Sequence, residues 1–152
     1  MSAAVKRIEL VSDRLPYIVL KVRWCNFIVC NVHVPSEERR NDLIDRFYEK
    51  LEQVFYNFPK YRMKIPLGDF NAKVGKENVF KPTTGSSLHR DSNNNVVRIV
   101  NFATSKILIV KSMMFPHRNI HKYTWTSPDG KTNYHIDHIL IDMRWHSCVL
   151  YV

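Results

Sequence analysis

The stretch Leu67-Gly68-Asp69-Phe70-Asn71-Ala72-Lys73-Val74-Gly75 decides how this chain is read. Met63 to Leu67 is a short apolar run with strand character, and it delivers Gly-Asp-x-Asn at its end. Successive side chains of a strand point to opposite faces, so Asp69 and Asn71 are expected to point together while Phe70 turns into the core. A carboxylate and an amide at one strand tip suit phosphodiester chemistry. The carboxylate activates water or holds Mg²⁺, and the amide holds a phosphate oxygen or orients the nucleophile. Gly-Asp and Asn-rich stretches are also ordinary turn chemistry, so the rest of the chain has to decide between the two.

A chain of 152 residues with 45% hydrophobic content is long enough for one globular domain with a sizeable core. Lys and Arg number 23 against 14 Asp and Glu, a formal charge of +9, which favours polyanionic partners through phosphate neutralisation. Cys25, Cys30 and Cys148 are odd in number and form no CxxC, which points away from a disulfide framework or a zinc site and towards reduced, buried thiols. No apolar stretch approaches the roughly 18 residues of a membrane span, and Met1 to Lys6 lacks the apolar core of a signal peptide. The expectation is an intracellular protein, nuclear or cytoplasmic, without a membrane partner.

Val5 to Val11, Tyr17 to Val22 and Phe27 to Val34 read as an opening meander, the second pair joined by the short turn Trp24-Cys25-Asn26. Ser36 reads as the N-cap of a helix reaching about Asn57, with Leu43, Ile44, Phe47, Leu51, Val54 and Phe55 on its core face. A second helix is expected over Asn95 to Ser105, feeding a buried strand Ile107 to Val110. Tyr123 to Thr126 and Asn133 to Ile141 flank Ser127-Pro128-Asp129-Gly130-Lys131, a hairpin turn in which Pro presets one position and Gly supplies positive φ. This order predicts a layered α/β or α+β domain with catalytic groups at strand ends. Arg39-Arg40 and Lys60 to Lys64 read as solvated surface rather than nucleic-acid contacts. Trp125 reads as core, and His117 and His121 lack a local acidic partner for a metal.

Three motifs line up in order: Asn31-Val32-His33-Val34-Pro35, then Gly68-Asp69-Phe70-Asn71, then Tyr123-Thr124-Trp125 with Ile136-Asp137-His138-Ile139-Leu140. With Trp125 to Gly130 and Ile136 to Asp142, they resemble the endonuclease/exonuclease/phosphatase superfamily over essentially the whole chain, most closely the endonuclease domain of non-LTR retrotransposons. The resemblance implies a four-layer α/β sandwich that cleaves phosphodiesters with Mg²⁺ at one edge. It carries a catalytic role to Asp69, which activates or positions the attacking water, to Asn71, which contacts the scissile phosphate, and to Asp137, which orients the catalytic histidine and substrate. It carries substrate-binding roles to Thr124 and to His33, the latter replacing a tyrosine of many relatives and acting only as an N–H donor, so depending on pH and tautomer.

Asp137-His138 invites assignment as the catalytic pair, but strand alternation sends the two side chains to opposite faces. In the resembling family the functional Asp-His pair follows on another strand, after the stretch like Asp142 to Val152. The family's metal-binding glutamate sits on a strand before the one resembling Met1 to Val5, and Glu9 is in a different pattern. Residues 1–152 are thus expected to form a single partial domain of the sandwich, lacking its first strands and last strand, with Asp69 as a possible metal ligand and marginal stability. Exposed edges, and a C-terminal face of Trp145, Val149, Leu150 and Tyr151, are expected to favour self-association.

The functions that follow are a Mg²⁺-dependent endonuclease of retrotransposon type acting on DNA, catalytically incomplete in this chain; a non-catalytic nucleic-acid-binding remnant; or a phosphatase of the same superfamily. Catalytic groups that act as a unit lose orders of magnitude in rate when some are missing.

Overall fold

The computed structural model describes residues 4–36, 40–74, 94–113, 125–131 and 133–148. Three antiparallel strands open the chain: β1 (Ala4–Leu10), β2 (Pro16–Lys21) and β3 (Asn26–His33). Helix α1 (Asn41–Asn57) then crosses over to β4 (Met63–Val74), which lies parallel to β3. Helix α2 (Asn94–Ser105) leads into the short β5 (Leu108–Val110), and β6 (Trp125–Thr126) and β7 (Asn133–Asp142) form the closing hairpin. The sheet order is β1-β2-β3-β4-β7-β5, with β6 pairing the start of β7. Strands and helices thus combine in a mixed α/β sheet, as the sequence pattern predicts.

The core lies on the helix side of this sheet. Ile44, Phe47, Tyr48, Leu51, Val54 and Phe55 recur at helical spacing along α1 and are buried. They meet Ile28, Cys30 and Val32 of β3, Phe70 and Ala72 of β4, and Val96, Ile99 and Phe102 of α2 in one cluster. Phe102 stands edge-on to Phe55 with ring centroids 5.1 Å apart, and Arg98 of α2 reaches Asp45 of α1 at 2.9 Å. On the other face, Phe27, Val29, Ile65 and Leu67 are half-buried, and the outer Ile8 and Leu10 are exposed. Among the described residues, therefore, one sheet and one helix layer of a sandwich are in place, with an apolar second face on the sheet.

Several local expectations change. The helix starts at Asn41 rather than Ser36, capped by Arg40 without a side-chain cap bond. Leu43 is 40% exposed, because the core stripe begins one residue later at Ile44. Strand β4 runs on to Val74 instead of ending at Leu67. Ile107 is exposed with φ 56, a left-handed corner after α2, so β5 begins at Leu108. Cys30 is buried, and burial pushes its thiol up to about 12, but Cys25 is half-buried and Cys148 exposed. Lys64 is not solvated: its ammonium donates to the carbonyls of Arg62 at 3.1 Å and Lys60 at 3.4 Å, and burial lowers its pKa. Trp125's side chain, His117, His121, Arg39 and Val149 to Tyr151 lie outside the described residues.

Leu51 is fully buried at the centre of α1's contact with the sheet. Leu51→Ala is expected to cost about 2–5 kcal/mol, read as a lower urea midpoint at unchanged m-value.

Candidate active site

The register of the sheet assembles the site. β3 and β4 pair in parallel with His33 opposite Asp69, and β4 and β7 pair antiparallel with Asp69 opposite Asp137. His33, Asp69 and Asp137 therefore stand in one row across three adjacent strands, on neighbouring backbones about 4.8 Å apart. His33 and Asp137 are exposed and Asp69 is half-buried between them.

The row depends on Gly68. Its φ of 131 lies in a region that side-chain-bearing residues rarely adopt, and a Cβ there would collide with the Val32 carbonyl oxygen and lie 2.9 Å from Asn31 Oδ1. With no side chain at 68, β4 closes onto the end of β3, and Val34 N–H donates to the Asp69 carbonyl at 2.8 Å.

Beyond Asp69 the strand alternation is interrupted. Asn71 has φ 48, and the register of β4 against β7 slips between Asp69 and Val74. Asn tolerates this left-handed conformation better than most residues. Asn71 N–H donates to Asp69 Oδ1 at 2.7 Å, which fixes the carboxylate, and its Nδ2 donates to the Val34 carbonyl at 2.6 Å. Phe70 between them is fully buried, as alternation predicts. Behind the turn, the buried Asn95 of α2 donates from Nδ2 to the Asn71 carbonyl at 3.3 Å. Sequence reading placed Asn95 only at a helix start; its signal was a polar residue on a helix face otherwise made of Val96, Ile99 and Phe102.

Burial raises the pKa of Asp69, and the Asp137 carboxylate adds to the rise. The Asn71 N–H and the charge of His33 act in the opposite sense. The three residues that register brings into line thus also interact electrostatically.

His138 faces the other way. It is buried, with Nδ1 3.1 Å from Ser112 Oγ and Nε2 3.0 Å from the Ala72 carbonyl. A carbonyl only accepts, so Nε2 carries the proton, and Ser112 donates to Nδ1 while accepting Ile139 N–H at 3.3 Å. This imidazole ties β4, β7 and the turn at Lys111–Met113 together. Thr124 lies outside the described residues.

The donor set does not complete a Mg²⁺ centre. Asp69 and Asp137 offer carboxylate oxygens, but among the described residues no group of three or more His, Cys, Asp or Glu converges as metal ligands.

A sheet with this register and these helices is the fold of endonuclease/exonuclease/phosphatase proteins. It matches the endonuclease domain of TRAS1, a telomere-specific non-LTR retrotransposon, with TM-score 0.63 and 11% identity, covering 96% of this chain and 57% of that one. It matches an endonuclease/exonuclease/phosphatase family protein from Bacteroides thetaiotaomicron (TM-score 0.57, 13% identity, 93% and 52% covered). It also matches D. rerio TDP2 complexed with a single-strand DNA product (TM-score 0.60, 12% identity, 92% and 53% covered). In sequence the chain is similar to craniofacial development protein 2 of Bos taurus, 30% identical over 141 residues. That alignment takes in 93% of this chain but spans about a quarter of the relative, 24% of its length. No family model matches.

One substitution tests the row and another tests the opposite face. A carboxyl whose pKa is raised on folding binds its proton more tightly in the folded state, so stability falls as pH rises from the unfolded value through the folded one. Asp69→Asn, which keeps an Oδ1 acceptor for Asn71 N–H, is expected to raise Tm at pH 7. The gain should vanish well below the ordinary Asp pKa of about 3.9, where both states of the wild type are protonated. His138→Ala is expected to cost about 2–4 kcal/mol through a cavity and the loss of the bonds to Ser112 Oγ and the Ala72 carbonyl. Whatever affinity the refolded variant has for DNA should match the wild type's.

Proposed function

We propose that this chain is a phosphodiester-directed domain acting on DNA, with the row His33, Asp69 and Asp137 as the centre that faces the scissile phosphate. The observation that carries this reading is the register itself: residues from three separate sequence motifs occupy one line across β3, β4 and β7. The endonuclease fold supports the reaction class. The formal charge of +9 supports a polyanionic substrate over a small phosphate ester.

In this reading Asp69 is the base. A raised pKa brings a carboxylate nearer working pH, where it takes a proton more readily from water as the new P–O bond forms; in line with it the P–O bond to the leaving oxygen breaks, and that oxygen keeps the electron pair and takes a proton from solvent water. His33 donates an N–H to a non-bridging oxygen. Asp137 orients the attacking water and keeps Asp69 basic. Asn71 fixes the Asp69 carboxylate through its own N–H and, as the family pattern implies, contacts the phosphate with its amide. Thr124 lines the substrate side by the same resemblance, and Mg²⁺ is the cofactor it implies.

A second reading is nucleic-acid binding without cleavage. It is favoured by the carboxylate pair having no third converging ligand among the described residues.

Nicking of supercoiled plasmid by the purified chain, with Mg²⁺ and with EDTA, separates the two. Nicking that falls about 10²–10⁴-fold in Asp69→Asn is the expected mark of the enzyme, and the EDTA arm reads whether a divalent ion takes part. Salt-sensitive plasmid binding with no nicking by folded protein would assign the binding reading. Nicking that survives Asp69→Asn undiminished would remove Asp69 from the centre.

A further inference from the structure

We propose that the cavity between β1, β2, β3 and the C-terminal end of α1 is a second anion site, built for the phosphate of a nucleotide, free or within a strand. It has a volume of about 450 Å³ and is lined on its polar side by Lys6, Arg7, Asn57 and Arg62 and on its aromatic side by Tyr17 and Phe58. That volume falls within the range of small-ligand pockets and leaves room beyond a bare phosphate ion. It lies along the first half of β3, at Ile28, whereas His33 ends that strand beside Asp69. The two sites are therefore at different ends of the strands, and this inference stands independently of the proposed chemistry.

Strand alternation would send the neighbours Lys6 and Arg7 to opposite faces. The β1-β2 register slips between Val5 and Arg7, so Val5 opposes Leu20 and Arg7 opposes Val19, with Lys6 as the extra residue. A bulge of this kind re-aims a side chain, and here both cations line one cavity.

Arg62, in the turn before β4, supplies a second, independent sign. Its Nε is buried with no hydrogen-bond partner among the described residues. An unpaired buried donor is costly, and a guanidinium fork matches a phosphate in two-point geometry. The carbonyl end of α1 also attracts cations, but that attraction alone leaves the Arg62 donor unsatisfied. Arg7 and Tyr17 both hydrogen-bond the Glu9 carboxylate, which fixes Arg7 in place and leaves Lys6 and Arg62 as the excess charge. Tyr17 and Phe58 stand edge-on with ring centroids 4.9 Å apart, forming an apolar wall for a sugar or base.

The test is binding in EDTA, so that no cleavage intervenes. Thymidine monophosphate is titrated calorimetrically, and a fluorescein-labelled single-stranded oligothymidylate by anisotropy, into the wild type, Arg62→Gln and Lys6→Gln. The expected result is a loss of about tenfold in affinity in each variant for at least one probe. For the oligonucleotide, the log–log salt slope should also shrink by about 1. Loss with the mononucleotide identifies a free nucleotide as the source, and loss with the oligonucleotide alone identifies strand phosphate. Unchanged affinity for both probes in variants that melt like the wild type overturns the proposal. Lys6 is exposed on an edge strand, so its variant decides the matter even if Arg62→Gln fails to fold.

Discussion

The close approach of β4 to the end of β3 at Gly68 is the constraint on which the rest of this structure depends. A parallel pair needs a crossover, and α1 supplies it. The crossover only places chemistry if the strands stay paired to their last residues. At Gly68 the backbone takes a conformation closed to most residues and lies against the Val32 carbonyl, where a Cβ has no room. Pairing then reaches His33 and Asp69, and β7 joins on the other side with Asp137. The helix-side core is the energetic reason for this sheet to exist. Gly68 is the geometric reason that the strand ends carry His33, Asp69 and Asp137 in line.

Most of this was legible in the sequence, for identifiable reasons. The α1 stripe is read from its helical period, and Phe70 is read as inward because strand alternation holds up to that point. The same alternation separated Asp137 from His138, and the buried bonds of His138 to Ser112 and Ala72 give it a structural occupation on the opposite face. The helix start was less legible. Ser36 has the chemistry of an N-cap, yet capping preference is a weak local force, and tertiary packing starts the stripe at Ile44. Lys64 was misread because composition says solvent for a lysine. Its place on the core-facing register of β4 forces the ammonium to curl back onto the carbonyls of Lys60 and Arg62.

The candidate site was legible in its residues but not in its mechanics. Asp69, Asn71, Asp137 and His33 can be named from motif and resemblance, while the alignment of His33, Asp69 and Asp137 needs the register, a non-local property. Asn95 shows the limit clearly. It is twenty-four positions from Asn71 along the chain and touches it through one hydrogen bond, at 3.3 Å. A single helix-face asparagine announces a polar contact without saying to what.

The two proposed sites share a feature that a pattern-based reading smooths away. Each lies where a strand stops alternating: at Asn71, whose left-handed backbone turns its N–H onto Asp69, and at Lys6, which the slip in β1 inserts beside Arg7. A regular strand offers one side chain per face every second residue, too sparse to converge several polar groups on one atom. A bulge or a left-handed residue breaks that spacing locally and brings sequence neighbours to one face at a modest cost in ladder hydrogen bonds. Such irregularities cost stability and survive only where the surroundings over-determine them, as Gly68 and Asn95 do around Asn71. The cavity at Lys6 has the corresponding irregularity and the cations, but its buried donor at Arg62 Nε has no hydrogen-bond partner among the described residues. An anion placed there would complete it in the way that Asn71 already completes Asp69.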